Sequence, residues 1–199
     1  MPHMPADERS RQILEATGRV IARDGIAKAT TRNVAAEAGA PLASLHYTFR
    51  NKEDLLAGVY TLWVEQGGER IAQLVPDGCG LPEGVRLLMT GMFDWYAAEP
   101  EVGMAQFELF FWALRTPSAG DLGQRFYREF RAQCAKALER ASGGTHDRKE
   151  IAELTSAVFC LFDGLLIKIL AGDARAARKD LARFLGIADA LATEVPAKR

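Results

Sequence analysis

Apolar side chains recur every three to four residues along nearly the whole chain, the period of an amphipathic α-helix. Over residues 8–24, Ile13, Thr17, Val20 and Ile21 share one stripe, while Arg11, Glu15, Arg19 and Arg23 fall elsewhere. Gly25 stops this helix. Thr30 then supplies an N-cap, with Asn33 at the third helical position in the manner of a weak capping box. Val34, Ala35 and Ala38 give a short second helix that Gly39 ends. Pro41 stands where a third begins, a position proline tolerates, and this helix runs from Leu42 to Phe49. Asn51 caps a fourth, from Lys52 to about Leu74. A dense turn signal from Pro76 to Pro82 follows. Helical patterning resumes at 83–97, 101–114, 119–141, 148–171 and 174–192. No β-branched run alternates with period two, so the expected fold class is all-α.

Residues 30–49 carry the most informative geometry. Ala35 and Ala38 are small enough for two helices to cross closely, and Gly39 permits the positive φ of a sharp turn. Val34, Leu45 and Phe49 supply a buried side. The pattern fits a helix-turn-helix whose second helix is sized for the DNA major groove, and it fits equally an αα-hairpin inside a bundle. Charge adds to the first reading. The formal net charge is −1, so the chain as a whole is no basic coat for nucleic acid. Residues 28–52, however, set Lys28, Arg32, Arg50 and Lys52 against Glu37 alone, a local +3, whereas 7–56 nets only +1. The focused patch matters more than the totals.

The spacing is specific as well. Arg11-Gln12-Ile13-Leu14-Glu15-Ala16, Asp24-Gly25, Thr30-Thr31-Arg32-Asn33-Val34-Ala35, Ala38-Gly39-Ala40, Ser44-Leu45-His46-Tyr47-Thr48-Phe49 and Asn51-Lys52-Glu53-Asp54-Leu55-Leu56 follow one another in order. This series, about a quarter of the chain, resembles the TetR family of transcriptional repressors. The resemblance implies that Thr30 caps the second helix and that Thr31 and Arg32 face DNA, where backbone N–H groups also favour phosphate. Arg32 is alternatively a base reader, since arginine suits the O6/N7 edge of guanine. Pro41, Leu42, Ala43 and Ser44 then form the tip of the recognition helix, and Tyr47 and Lys52 match phosphate-holding positions. A cation at a helix N-terminus opposes the dipole and asks for a partner; an ordinary solvated lysine is the plainer reading of Lys52. His46 departs from the tyrosine usual in the family, and Thr48 from an aromatic residue or histidine. Leu42 and Ala43 offer contact to thymine methyls but no hydrogen-bond code, so discrimination falls to Arg32, Ser44, His46 and DNA shape.

The C-terminal helices read as an interface. On 151–169, Ile151, Leu154, Val158, Leu161, Leu165 and Ile169 form one stripe, and Ala157, Cys160 and Gly164 form a second of small residues. A helix apolar on two faces buries both, and Gly164, costly inside a helix, points to close helix approach. With Leu181, Phe184, Leu185 and Ala188 these residues predict a two-fold four-helix dimer interface. Asp163 in this setting reads as a hydrogen-bonded or ion-paired interface residue, or else as a ligand contact. The middle helices hold Met89, Met92, Phe93, Tyr96, Phe107, Phe111, Phe126 and Phe130. Most such residues fill a core, but this set also suits an adaptable pocket for a small, largely apolar effector, with Tyr96 as its polar handle.

Composition excludes other classes. Cys79, Cys134 and Cys160 are odd in number and lack metal-knuckle spacing, which predicts free and mostly buried thiols. His3, His46 and His146 show no metal-ligand spacing, and neither a nucleophile motif nor a phosphate loop is present. No enzyme and no cofactor are expected. The opening Met1–Glu8 lacks a basic region followed by an apolar run, and Ala157–Leu170 is short for a span and carries Asp163 and Lys168. The expectation is a cytoplasmic protein with no membrane partner. It has a three-helix helix-turn-helix domain over 7–54 and a helical effector-binding and dimerisation domain over 55–195. Such a chain acts as a homodimeric repressor that a small molecule releases from a palindromic double-stranded operator. The alternative is a helical dimerisation or adaptor protein that has lost DNA binding.

Overall fold

The computed structural model describes residues 5–198; Met1–Met4, including His3 and the start of the opening stretch, and Arg199 lie outside them. Within that range the chain forms helices α1 (Ala6–Asp24), α2 (Thr31–Ala38), α3 (Leu42–Thr48), α4 (Lys52–Leu74), α5 (Leu81–Ala98), α6 (Pro100–Arg115), α7 (Leu122–Ala141), α8 (Arg148–Leu170) and α9 (Ala174–Glu194). Short 3-10 turns occupy Ile26–Lys28 and Pro117–Ala119. The second of these turns lies where the sequence pattern places the start of the 119–141 helix; Pro117 opens it and Gly120, at φ 59°, closes it. Among the described residues no helix is long and apolar enough to cross a membrane.

Two compact units emerge. One takes in the described residues up to Glu65 together with Met104–Phe126; the other takes Gln66–Gly103 and Tyr127 onward. In the first, Ile13 and Ala16 of α1, Val34, Ala35 and Ala38 of α2, Leu45 of α3 and Leu55 of α4 close a small core. A neighbouring core joins Val20 and Ile21 to Leu56, Val59, Tyr60, Leu109 and Leu122. Phe126 packs there too, 4.9 Å from the Tyr60 ring and 6.2 Å from that of Phe110.

In the second unit α5, α8 and α9 pack on one another. Leu81, Val85, Leu88, Met89, Met92, Phe93 and Tyr96 of α5 are buried, as are Ile151, Leu154, Val158, Phe162, Leu165 and Ile169 of α8. Small residues set the helix approaches: a methyl group on Gly84 of α5 would stand 2.6 Å from Ala141 Cβ at the end of α7. The loop before α5 is tied to the same helix end, where Gly78 and Gly80 N–H donate to the carbonyls of Arg140 and Ala141.

The predicted second stripe of α8 lies open. Cys160 and Gly164 are exposed, Ala157 is half-buried, and Ile167 is 60% exposed. On α9, Phe184 and Leu185 are half-buried, and Ile187 is 49% exposed. Leu181 and Ala188 differ from the expectation. They are fully enclosed by this chain because they lie on the inward face of α9 with Ala177 and Ala192. The thiols differ too: only Cys134 is buried, which pushes its pKa up to about 12, while Cys79 is half-buried and Cys160 exposed.

Candidate nucleic-acid interface

The helix-turn-helix is built from local rules. Thr30 adopts an extended conformation and its Oγ1 accepts the N–H of Asn33, satisfying a donor that the first turn of α2 leaves unpaired. The reciprocal half of the expected capping box is absent: the Asn33 amide reaches back to the Lys28 carbonyl at 2.9 Å. Asparagine is one methylene shorter than the glutamate or glutamine of a full box, which reaches the cap N–H. Gly39 takes φ 59° and turns the chain, while Ala40 N–H returns to Ala35 O at 3.0 Å. Gln12 of α1 donates to the Ala38 carbonyl at 3.0 Å, so the C-terminal end of α2 is held from a second helix. Asn51 Oδ1 accepts Asp54 N–H at 2.8 Å and caps α4.

Charge completes the frame. Glu37 of α2 accepts Arg19 Nε and Arg23 Nη1 of α1, both at 2.9 Å. These bonds hold the Glu37 carboxyl below its usual range and raise the Arg23 guanidinium further. Arg50 donates through backbone and side chain to Asp54 and lowers that carboxyl as well. The acids nearest the turn are thus neutralised, while Lys28 and Arg32 remain exposed.

Every side chain expected at DNA can be located. Thr30, Thr31, Arg32, Pro41, Leu42, Ala43, His46 and Tyr47 are exposed on α2, the turn and α3, and Ser44 is half-buried. Tyr47 is 93% exposed and Leu42 is 42% exposed. Two apolar surfaces of that size on an outward helix face lack a core to enter. Thr48 returns its hydroxyl to the Ser44 carbonyl at 2.8 Å and is taken up inside the helix. Lys52 sits elsewhere: its ammonium donates to the Ile26 carbonyl at 3.2 Å and is partly buried. The partner that the opposed helix dipole asks for is a backbone carbonyl of this chain. Sequence reasoning missed this bond and the Glu37 bridge, because each joins residues made neighbours only by the crossing of helices.

The residues expected at an effector divide between the two units. Met89, Met92, Phe93 and Tyr96 are at most 2% exposed, with Tyr96 stacked on Trp95 at 4.7 Å and tilted on Phe162 at 5.9 Å. Phe130 is buried and 6.0 Å from Phe159. On α6, Phe107 and Phe111 stack at 5.8 Å, and Phe111 is 53% exposed, facing outward. Asp163 is hydrogen-bonded, as its apolar setting requires: Tyr127 Oη donates to its Oδ2 at 2.8 Å, while burial raises its carboxyl above the usual range.

Comparison with known proteins agrees with this architecture. The family description "Bacterial regulatory proteins, tetR family" matches residues 13–59, and "Tetracyclin repressor-like, C-terminal domain" matches residues 82–188. The chain is 31% identical over 178 residues to the HTH-type nicotine-responsive transcriptional repressor HdnoR of Paenarthrobacter nicotinovorans, covering 87% of this chain and 90% of that one. Its fold is similar to a TetR transcription regulator from Haloarcula marismortui, with TM-score 0.71, 19% identity, and 96% and 100% of the two chains covered. It is also similar to the multidrug binding protein EbrR complexed with ethidium, with TM-score 0.64, 26% identity, and 88% and 98% covered. The chain belongs to the TetR family and is a helix-turn-helix DNA-binding transcriptional regulator.

Proposed function

We propose that the protein is a homodimeric repressor that holds a two-fold operator through α3 and leaves it when a small aromatic, largely apolar molecule binds. The observation that carries the DNA half is the uncovered face of α2 and α3, where Arg32 projects from α2 and Leu42, His46 and Tyr47 from α3, with α2 capped by Thr30 and its end held by Gln12. Arg32 suits either a phosphate or a guanine edge, Leu42 and Ala43 suit thymine methyls, and Tyr47 suits phosphate. Dimerisation is supported by the open apolar stripe of α8, with Ala157, Cys160, Gly164 and Ile167, beside the partly open Phe184 and Leu185 of α9.

The effector class is supported by the aromatic and methionine content of α5 to α7 and by two relatives, one nicotine-responsive and one complexed with ethidium. A ligand releases DNA only by the difference between its affinities for the DNA-competent and DNA-incompetent states. Gel-shift titration against the DNA upstream of the protein's own gene, with and without nicotine as the probe, tests both halves. Retardation that nicotine reverses supports the reading. Retardation indifferent to it removes nicotine-like aromatic amines as the effector, and no retardation removes operator binding.

A further inference from the structure

The turn between α1 and α2 is gripped from two sides. Ile26 N–H donates to Glu108 Oε2 of α6 at 2.7 Å, a bond between residues 82 apart in sequence. The Ile26 carbonyl accepts Lys52 Nζ of α4 at 3.2 Å. The preceding Gly25 stands at φ +83°, and a Cβ there would lie 3.3 Å from the same Glu108 oxygen. Glycine therefore supplies both the backbone conformation and the room for the carboxylate. Hydrogen bonds continue from this point into α2: Lys28 N–H to Gly25 O, Thr30 N–H to Lys28 O at 2.7 Å, and the Asn33 amide to Lys28 O. Glu108 is the sole charged residue from Met104 to Leu114. Ala105 and Leu109 beside it are buried in the core that α6 shares with α1 and α4. A carboxylate on such a surface is costly without a donor, and the donor it has is the turn that leads to the DNA-facing helices.

We propose that Glu108 is a positioning residue for DNA binding. By holding Ile26 N–H it fixes the α1–α2 turn to α6 and sets the attitude of α2 and α3. The functional consequence rests on the DNA-binding reading; the clamp itself does not. Hydrogen exchange of the full chain, read on peptides covering Gly25–Thr30, tests it with Glu108→Ala and Glu108→Gln, alongside gel shift on the upstream DNA fragment.

Losing one charge-assisted hydrogen bond corresponds to about tenfold faster opening of that segment or more. Glu108→Ala is expected to show this together with several-fold weaker DNA binding, while exchange in α5, α8 and α9 stays at wild-type rates. Glu108→Gln keeps an acceptor at the same reach and is expected to restore most of both. If Glu108→Ala does not fold, Glu108→Asp, one methylene short of the turn, gives the same reading. Unchanged exchange in the shortened variant overturns the clamp. Faster exchange with wild-type DNA affinity overturns the positioning role. A wild-type protein that retards no fragment sinks the DNA-binding reading and this role with it, while the exchange result still decides whether the clamp exists.

Discussion

Gly164 separates the stability of the chain from the stability of its proposed dimer. It lies well inside α8, it is exposed, and a methyl group built on it meets nothing within 4 Å. For a lone chain, replacement by leucine is therefore a plain gain in helix propensity, about 0.8 kcal/mol. For a dimer packed along Ala157, Cys160 and Gly164, the same side chain enters a close helix contact. Overpacking costs about 1–3 kcal/mol per site, and a two-fold axis brings in two copies. The sum is about 2–6 kcal/mol, a factor of roughly 30 to 10⁴ in the dissociation constant. Sedimentation velocity over a concentration series measures that constant, and urea unfolding measures the chain. The expected result for Gly164→Leu is a monomer of undiminished intrinsic stability with DNA binding lost in parallel, since two half-sites need two recognition helices. A variant that dimerises as tightly as wild type refutes the assignment of this stripe as the interface.

Other substitutions probe the turn before α2, the α5–α7 contact and the Asp163 site. Lys52→Ala is expected to weaken DNA binding by loosening the Ile26 turn while leaving the log–log salt slope unchanged; a slope smaller by about one per half-site would return Lys52 to the phosphate contacts. Gly84→Ala is expected to cost about 1–3 kcal/mol in urea unfolding, because its Cβ meets the fixed Ala141 Cβ at 2.6 Å; a neutral result means that α5 and α7 part freely. Asp163 has a raised carboxyl pKa, so the folded chain holds this proton more tightly than the unfolded one. Its contribution to stability is complete below the ordinary carboxylate range and declines as pH rises through the raised value. Asp163→Asn is therefore expected to gain stability on going from pH 4 to pH 7 relative to wild type, by no more than about 1 kcal/mol for a carboxylate that is only part-buried. An opposite trend would show that Asp163 has a cationic partner in the folded state. Tyr127→Phe, which removes the phenol bonded to Asp163, is expected to cost about 1.5 kcal/mol at neutral pH, measured by the same unfolding.

What was legible in the sequence follows the range of the forces involved. Thr30, Gly39 and Asn51 act on neighbours three to five residues away, so their spacing announces the caps and the turn. The apolar pattern by itself assigns Ile13, Val34 and Leu45 to a core. Leu181 and Ala188 could not be assigned to this chain's own core, because the face a helix turns inward depends on which helix it meets. Phe111 reads as a pocket residue by type and stands outside by register. Glu108 left one trace, an isolated acid in an apolar helix, but the N–H that answers it lies 82 residues earlier. Arg32 and His46 were legible as residues and as positions, whereas the bases they meet depend on an operator that this chain does not encode.

DNase I footprinting of wild type, Arg32→Ala and Tyr47→Ala on the DNA upstream of the gene decides whether α2 and α3 form the DNA-binding face. Two symmetric protected half-sites centred about one helical turn apart, roughly 34–36 Å, are expected for wild type. Arg32→Ala should weaken protection by about 1–3 kcal/mol and relax sequence preference if its guanidinium reads a base, and Tyr47→Ala should weaken it for all sequences alike. An absence of protection at protein concentrations that saturate dimer formation, or protection indifferent to both substitutions, would contradict the assignment of α2 and α3 as the DNA-binding face.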